Sequence, residues 1–551
     1  MYVDVSTVRQ GAKSYTRFLL RESFRDHGKV KHRTIANLSH CSPQEIEAIR
    51  LALRHKEDLS ALQTAPPPII LKQGPAFGAV WLLHEVARDL GIPQALGTTR
   101  AGKLALWQVI ARVLDQGSRL SAVRLAGTHA ACDVLGVDRF DENDLYANLD
   151  WLAAEQAAIE QRLFEKRAPT STTALFLYDV TSSYLEGQHN VFGAFGYNRD
   201  RKRGKRQIVI GLLCDGQGRP LSIEVFPGNT QDPKTFAAQV DKVAHRFGGE
   251  EITFVGDRGM IKAPQIKALG DEKFHYITAI TKPQIEALLA QGIVQMSLFD
   301  ESLAEITTPD GERYILRRNP LRAQEIAAAR EDKYRILSTA VEAANQYLAT
   351  HPRAKPSLAL AKLERRTQQL RINVWTTLTL TERTLGLAKD TAALEACAKL
   401  DGCYVLKTDL PVTTASKELI HARYKDLALV EWAFRESKTT YLEMRPLYVR
   451  LESRTRGHAF VVMLAYLILQ ELAQRWAALN LTVQEGLDQL ATLCLTEVHL
   501  PHQPVSYQLP TPRDTVQQLL DAAAVHLPNK LPGPRGGVTT KTKLTQHRKS
   551  K

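Results

Sequence analysis

The chain has 551 residues, 44% of them hydrophobic and 24% charged, with a mean hydropathy of −0.23. At roughly 100–200 residues per domain this is about three or four domains with real cores, which excludes a peptide, a single small module and a chain disordered throughout. Lys and Arg total 72 against 59 Asp and Glu, leaving +13, a surplus that attracts polyanions and makes nucleic acid the first partner to test.

Residues 1–68 open with short alternating runs and end in a charged helical stretch, SPQEIEAIRLALRHKEDLSAL, closed by the linker-like prolines 66–68. The N-terminus carries Asp4 and lacks an apolar signal core, and the longest apolar run, Ala459 to Leu469, is too short to cross a bilayer. Six scattered cysteines form no CxxC pair, which argues against a zinc module or a disulfide framework. A reducing cytoplasm and no membrane partner are expected. Residues 69–170 repeat apolar positions at helical spacing (WLLHEVARDL, ALWQVIARVL) and read as a helical region, with DNA contact and plain core packing equally good accounts.

From 171 to 282 the texture turns to strands: ALFLYDV, RQIVIGLLC and PLSIEVF, then a helical stretch, then EITFVGD and FHYITAI. This order predicts an α/β sheet. Residues 283–400 are irregular and are expected to be an insertion. Residues 401–505 add a strand (CYVLKTDL) and two helical regions, and 506–551 form a basic, disordered tail, with no acidic residue after Lys530.

Asp179 closes ALFLYDV and Asp257 follows ITFVG, so each is expected at the C-terminal edge of a buried strand, where open α/β sheets build ligand sites. Either aspartate alone is as well explained by turn chemistry; the two together say more. In YKDLALVEWAFRESK, Tyr424, Glu431, Arg435 and Lys438 share one helical face among apolar neighbours, predicting a polar stripe on a well-buried helix. A Glu431–Arg435 ion pair at i,i+4 is the plainer account, and Glu436 lies off the stripe. Taken together, two aspartates and a glutamate suit two divalent ions in phosphodiester chemistry, and magnesium suits carboxylate oxygens.

With Tyr424, Glu431 and Lys438 in register, this segment resembles the Tyr-x2-Arg-x3-Glu-x6-Lys signature of DDE transposases from bacterial insertion sequences. LYDVTSSYLEG, GYNRDRKRGKRQIVIGLL, EVFPGNTQDPKTF and VGDRGM are similar to the blocks around that group's first two aspartates. The blocks span roughly residues 175 to 470, with weaker similarity before them. The resemblance implies an RNase H-like mixed sheet flanked by helices, with a mainly β insertion before the glutamate helix. It also implies Asp179, Asp257 and Glu431 as ligands of two Mg2+ ions, with Mn2+ as a substitute. Tyr424 and Lys438, with Arg435 beside them, would contact DNA phosphates, and Arg258 would support Asp257. The signature arginine is Leu427 here; Arg423, one turn earlier, is the expected replacement.

Arg199, Arg201, Lys202, Arg203, Lys205 and Arg206 lie between the first two core strands beside Phe192, Phe195 and Tyr197, a loop able to track a phosphate backbone. In RINVWTTLTLT, alternation puts Trp375 on the polar face, where it could stack a base flipped from the DNA end, against the plainer account of packing on a neighbour. His458 is expected to be structural. The expectation is therefore a transposase that binds the inverted repeats of its own element and pairs two ends as a homodimer on double-stranded DNA. It would cut and join strands in the bacterial cytoplasm at the nucleoid. An RNase H-like nuclease that joins nothing and a catalytically silent DNA-binding relative are the alternatives.

Overall fold

The computed structural model describes residues 1–11, 13–57, 69–167, 173–200, 202–247, 251–440, 442, 444, 447–500, 504–531 and 538. The chain divides into two compact units, Met1–Gly74 with Cys494–Thr511, and Pro75–Leu493 with Pro512–Lys551.

In the first unit, Tyr2–Gln10 (β1), Lys13–Asp26 (β2) and Lys29–Asn37 (β3) form an antiparallel meander. A helix, Pro43–Arg54, follows. Ser42 starts it because its hydroxyl accepts from Glu45 N while Glu45 Oε2 accepts from Ser42 N, satisfying two amides that a helix start leaves open. Ile70–Ala76 (β4) builds a second small sheet with Cys494–His499 and Ser506–Gln508.

The second unit begins with helices, chiefly Gly78–Asp89, Arg100–Leu114, Arg119–Thr128 and Glu142–Arg167. They pack around Glu452–Arg475, which is long and apolar enough to cross a bilayer, yet buries most of its side chains inside the protein. It is a core helix shared between the helical region and the sheet. It lies close against Glu142–Arg167, because a Cβ at Gly457 would sit 2.2 Å from the Leu149 carbonyl oxygen. Gly457→Val is therefore expected to destabilise the protein by about 1–3 kcal/mol or more, read as a lowered Tm; an unchanged Tm would show that the two helices can separate freely.

The sheet starts with an antiparallel meander, Thr173–Tyr184 (β5), Gln207–Asp215 (β6) and Pro220–Pro227 (β7). The chain returns through the helix Asp232–Lys242 to place Glu251–Gly256 (β8) parallel to β5, then His275–Ala279 (β9) parallel to β8. The order β7-β6-β5-β8-β9 is the RNase H-like arrangement, so the α/β expectation holds. Aromatic packing sits beneath it, with Phe176, Tyr178, Phe236 and Phe254 all fully buried. The sheet then continues: Ala304–Thr307 (β10), Arg313–Arg318 (β11) and Cys403–Thr408 (β14) extend it antiparallel to eight strands, with β14 against β9.

The expected mainly β insertion is instead mainly helical. Pro320–Thr350, Pro356–Leu370 and Thr391–Ala398 carry it, with only Thr376–Thr381 (β12) and Thr384–Lys389 (β13) as a hairpin of its own. Its long helix packs a single narrow stripe, Tyr334, Leu337, Val341, Ala344 and Leu348, against the insertion core, and its Ala, Glu and Arg content and the Asn319 N-cap favour helix. Residues 506–531 are also ordered, contrary to expectation. Asp514–Ala522 is an amphipathic helix that buries Val516, Leu519 and Leu520, and Leu519 O accepts from Trp476 Nε1 at 3.0 Å. The basic residues Lys541, Lys543, Arg548, Lys549 and Lys551 lie outside the described residues.

Candidate active site

The β5–β8 register pairs Tyr178 with Gly256. Asp179 and Asp257 therefore stand level on neighbouring parallel strands, each one residue further on. Asp257 follows the last residue of β8, as its sequence predicted. Asp179 does not end its strand: β5 runs on to Tyr184, paired with β6 alone, and it is the end of β8 that opens space beside the Asp179 carboxylate.

Glu431 reaches the same cleft from a short helix, Leu427–Arg435. The expected single buried helical face is not what forms. The chain bends at Asp426, which ends one helix, Lys417–Lys425, and starts the next, and a π-helical turn, Glu436–Thr440, follows. Only Val430, Ala433 and Phe434 face inward, while Glu431 and Trp432 are exposed. The Glu431–Arg435 ion pair is absent; the Arg435 guanidinium lies over the Trp432 ring, 5.2 Å from its centroid. Tyr424 still reaches the site across the bend, with its hydroxyl donating to Asp257 Oδ1 at 3.4 Å. Burial and the Asp257 charge raise the Tyr424 phenol, so it stays a proton donor.

The cleft, of about 430 Å³, holds two acids that the sequence patterns do not single out, Asp200 and Asp232. Each is already matched. Lys438 Nζ sits 2.7 Å from Asp200 Oδ1 and donates to Thr181 Oγ1 at 2.9 Å. Arg199 donates to both Asp232 oxygens at 2.7 and 2.8 Å. No described cation lies within ion-pair distance of Asp179, Asp257 or Glu431. Both acids belong to the blocks GYNRDRKRG and NTQDPKTF; their pairing partners are what no local pattern reveals.

The other expected contacts divide. Lys438 is buried against Asp200 and Thr181 in the wall of the cleft. Arg423 is half-exposed and pairs with Asp426 at 3.5 Å. Arg258 supports Asp257 through its backbone N–H, 2.8 Å from Oδ1, while its exposed side chain lines an adjoining cavity of about 670 Å³ with Lys282 and Lys425. In the basic loop, Lys205 pairs with Glu186, Arg206 donates to Gln188 O and covers Phe195, and Lys202 and Arg203 are exposed; Arg201 lies outside the described residues. Trp375 leaves the DNA-contacting set. The strand begins only at Thr376 and keeps the expected faces, with Leu378 and Leu380 inward, but residues 371–375 turn, so Val374 is exposed and Trp375, 3% exposed, stacks on Tyr334 in the insertion core. His458 is buried, as expected of a structural histidine. Glu436 is also buried, which raises its carboxyl.

Among the described residues no three His, Cys, Asp or Glu side chains converge closely enough to hold a metal ion. The donor chemistry nevertheless fits a hard cation: three carboxylates line one cleft, and the Asp179 carboxyl is pushed up to about 7 by burial and by the charges of Glu431 and Asp257. The folded protein thus keeps a proton that the unfolded chain releases near its ordinary value of 3.8. Between those values stability falls as pH rises. In metal-free protein, the Tm is expected to drop between about pH 5 and about pH 7.5 more steeply for wild type than for Asp179→Asn; parallel profiles would contradict this.

The family model of the transposase DDE domain matches residues 170–468, more than half of the chain, and spans all three carboxylates. The chain belongs to the DDE transposase family. Residues 3–65 of this transposase match the N-terminal domain of IS1634 family transposases, which places it with bacterial insertion-sequence transposases. No curated protein matches the transposase. Among solved structures, it is similar to a cryo-EM structure of a piggyBac transposase synaptic complex with hairpin DNA, at 11% identity and a TM-score of 0.36, over 78% of this chain and 77% of that one. That likeness is too loose to inform fold or mechanism.

Proposed function

We propose that this transposase binds the terminal inverted repeats of its own element, pairs two ends as a homodimer on DNA, and cleaves and transfers strands with Asp179, Asp257 and Glu431 as the catalytic carboxylates. The observation that carries the reading is the level placement of Asp179 and Asp257 on parallel strands, with Glu431 facing the same cleft and no described cation paired with any of them. The three would hold Mg2+, with Mn2+ as a substitute. Two such ions, when bound, activate an attacking oxygen and stabilise the leaving one in an in-line displacement.

The chain's own groups prepare that cleft. The Tyr424 hydroxyl and the Arg258 amide both donate to Asp257 Oδ1, fixing one carboxylate oxygen and leaving Oδ2 to the cleft. Lys438 and Arg199 neutralise Asp200 and Asp232, which keeps the negative potential centred on the other three acids. Lys202 and Arg203, exposed on the loop after β5, are placed to follow a phosphate backbone and fix its register rather than read its sequence. Such a protein acts in the bacterial cytoplasm, at the nucleoid.

A mixture of two element-end duplexes of different length tests the assembly. Three shifted complexes, including one that contains both lengths, are expected on a native gel. Two complexes only would contradict pairing of the ends, and equal shifts with a scrambled duplex would contradict recognition of the repeats.

A further inference from the structure

A second cavity, of about 620 Å³, lies in the helical region and shares no lining residue with the acidic cleft. Its inner wall carries Arg112, near the end of Arg100–Leu114, and Arg119, the first residue of Arg119–Thr128, both buried. Its outer wall carries Tyr448, Arg450 and Arg454, with Tyr448 and Arg450 exposed. None of the described residues lining it is acidic.

The Arg112 guanidinium donates to Gln116 O at 2.6 Å and to Gly117 O at 3.0 Å. The Arg119 guanidinium donates to the neutral Gln108 Oε1, and burial together with the nearby Arg112 pulls it down to about 9. Burial and both arginines also hold His458, on the same wall, well below the ordinary histidine range. Arg454 pairs with Asp150 at 3.2 Å and lies over the Tyr146 ring. A cavity whose described lining carries four arginines and no carboxylate is electropositive and attracts an anion from outside. The start of Arg119–Thr128 adds its helix dipole in the same sense. Arginines suit phosphate through paired N–H donors, and the volume falls in the range of ligand sites far larger than a single ion.

The outer wall also connects to the catalytic domain. Leu447 bridges to Leu185, and Asn190 Nδ2 donates to Val449 O at 2.7 Å and Thr455 Oγ1 at 2.8 Å. The segment that lines the cavity is thereby tied to the loop that carries Lys202 and Arg203. We propose that this cavity is a phosphate-binding site for a DNA strand, separate from the three-carboxylate cleft; the choice of DNA as the carrier of the phosphate rests on the transposase reading.

The test uses the full chain. Binding of a duplex of unrelated sequence is followed by fluorescence anisotropy over a salt series, and inorganic pyrophosphate is followed by thermal shift, for wild type, Arg119→Gln and the exposed-site Arg450→Gln. Each variant is expected to flatten the logarithmic salt dependence by about one for each phosphate it no longer neutralises, and to bind the duplex several-fold more weakly at moderate salt. Pyrophosphate is expected to raise the wild-type Tm and to raise that of the variants less. A pyrophosphate effect with unchanged salt slopes would overturn DNA as the carrier. No difference in either readout would overturn the site. Should Arg119→Gln fail to fold, Arg450→Gln decides alone. Cleavage is not among the readouts, so a wild type that binds but never cuts element ends would count against the proposed function and leave this site standing.

Discussion

Glu431→Gln is expected to lose metal-dependent nicking and joining by roughly a thousandfold or more while binding element-end DNA as tightly as wild type. The substitution keeps size and hydrogen bonding but removes one of the three charges that line the cleft. Stabilisation of both attacking and leaving oxygens is worth several kcal/mol, and about 4 kcal/mol is a thousandfold in rate. Glu431 is exposed and has no described ion-pair partner, so its charge contributes little to the fold and the variant should melt with wild type. Loss of cleavage accompanied by a large drop in Tm would mean that the residue is structural. Retained cleavage would remove it from the catalytic set.

Lys438→Met is expected to destabilise the protein by about 3–5 kcal/mol, because it removes one partner of a buried ion pair. The Asp200 side chain is 1% exposed and the lysine 10%, at 2.7 Å separation. The double replacement Lys438→Met with Asp200→Leu should recover a large part of that loss, since a buried pair replaced as a unit costs far less than a broken one. A lysine that served chiefly to grip a DNA phosphate would behave differently: its loss would leave the Tm in place and flatten the salt dependence of DNA binding. Thermal melts beside salt-dependent anisotropy separate the two roles in one set of variants.

What could be read from the sequence follows from where the side chains face. The core strands announced themselves because both faces of β6 and much of β5 are buried, so RQIVIGLLC and ALFLYDV are near-continuous apolar runs. Asp179 and Asp257 stood out as charges terminating such runs, and Glu431 as a charge at helical spacing from Tyr424. The break between the two helices at Asp426 carries no Gly or Pro, so nothing local marks it, and Glu431 and Trp432 beyond it are exposed. The insertion is hard to read because the apolar stripe of its long helix is narrow, only Leu337, Val341 and Leu348 being buried in 31 residues, so hydrophobic periodicity is weak where intrinsic propensity is strong. Trp375 faces the core because the chain turns over 371–375, where strand alternation no longer decides which way a side chain points, while Leu378 and Leu380 keep the faces that alternation gives them. Asp200 and Asp232 were invisible for a different reason: their partners, Lys438 and Arg199, are brought to them by tertiary folding.

The central claim is that the three-carboxylate cleft cuts and joins DNA ends with the help of divalent cation. Wild-type protein incubated with end-labelled element-end duplex and an unlabelled circular target, with Mg2+ and with chelator, tests it most directly. With Mg2+ the account predicts nicked end fragments together with label transferred into the target, and neither product with chelator. Nicks without transfer would identify a nuclease, and binding without either product at any divalent cation concentration would contradict the account.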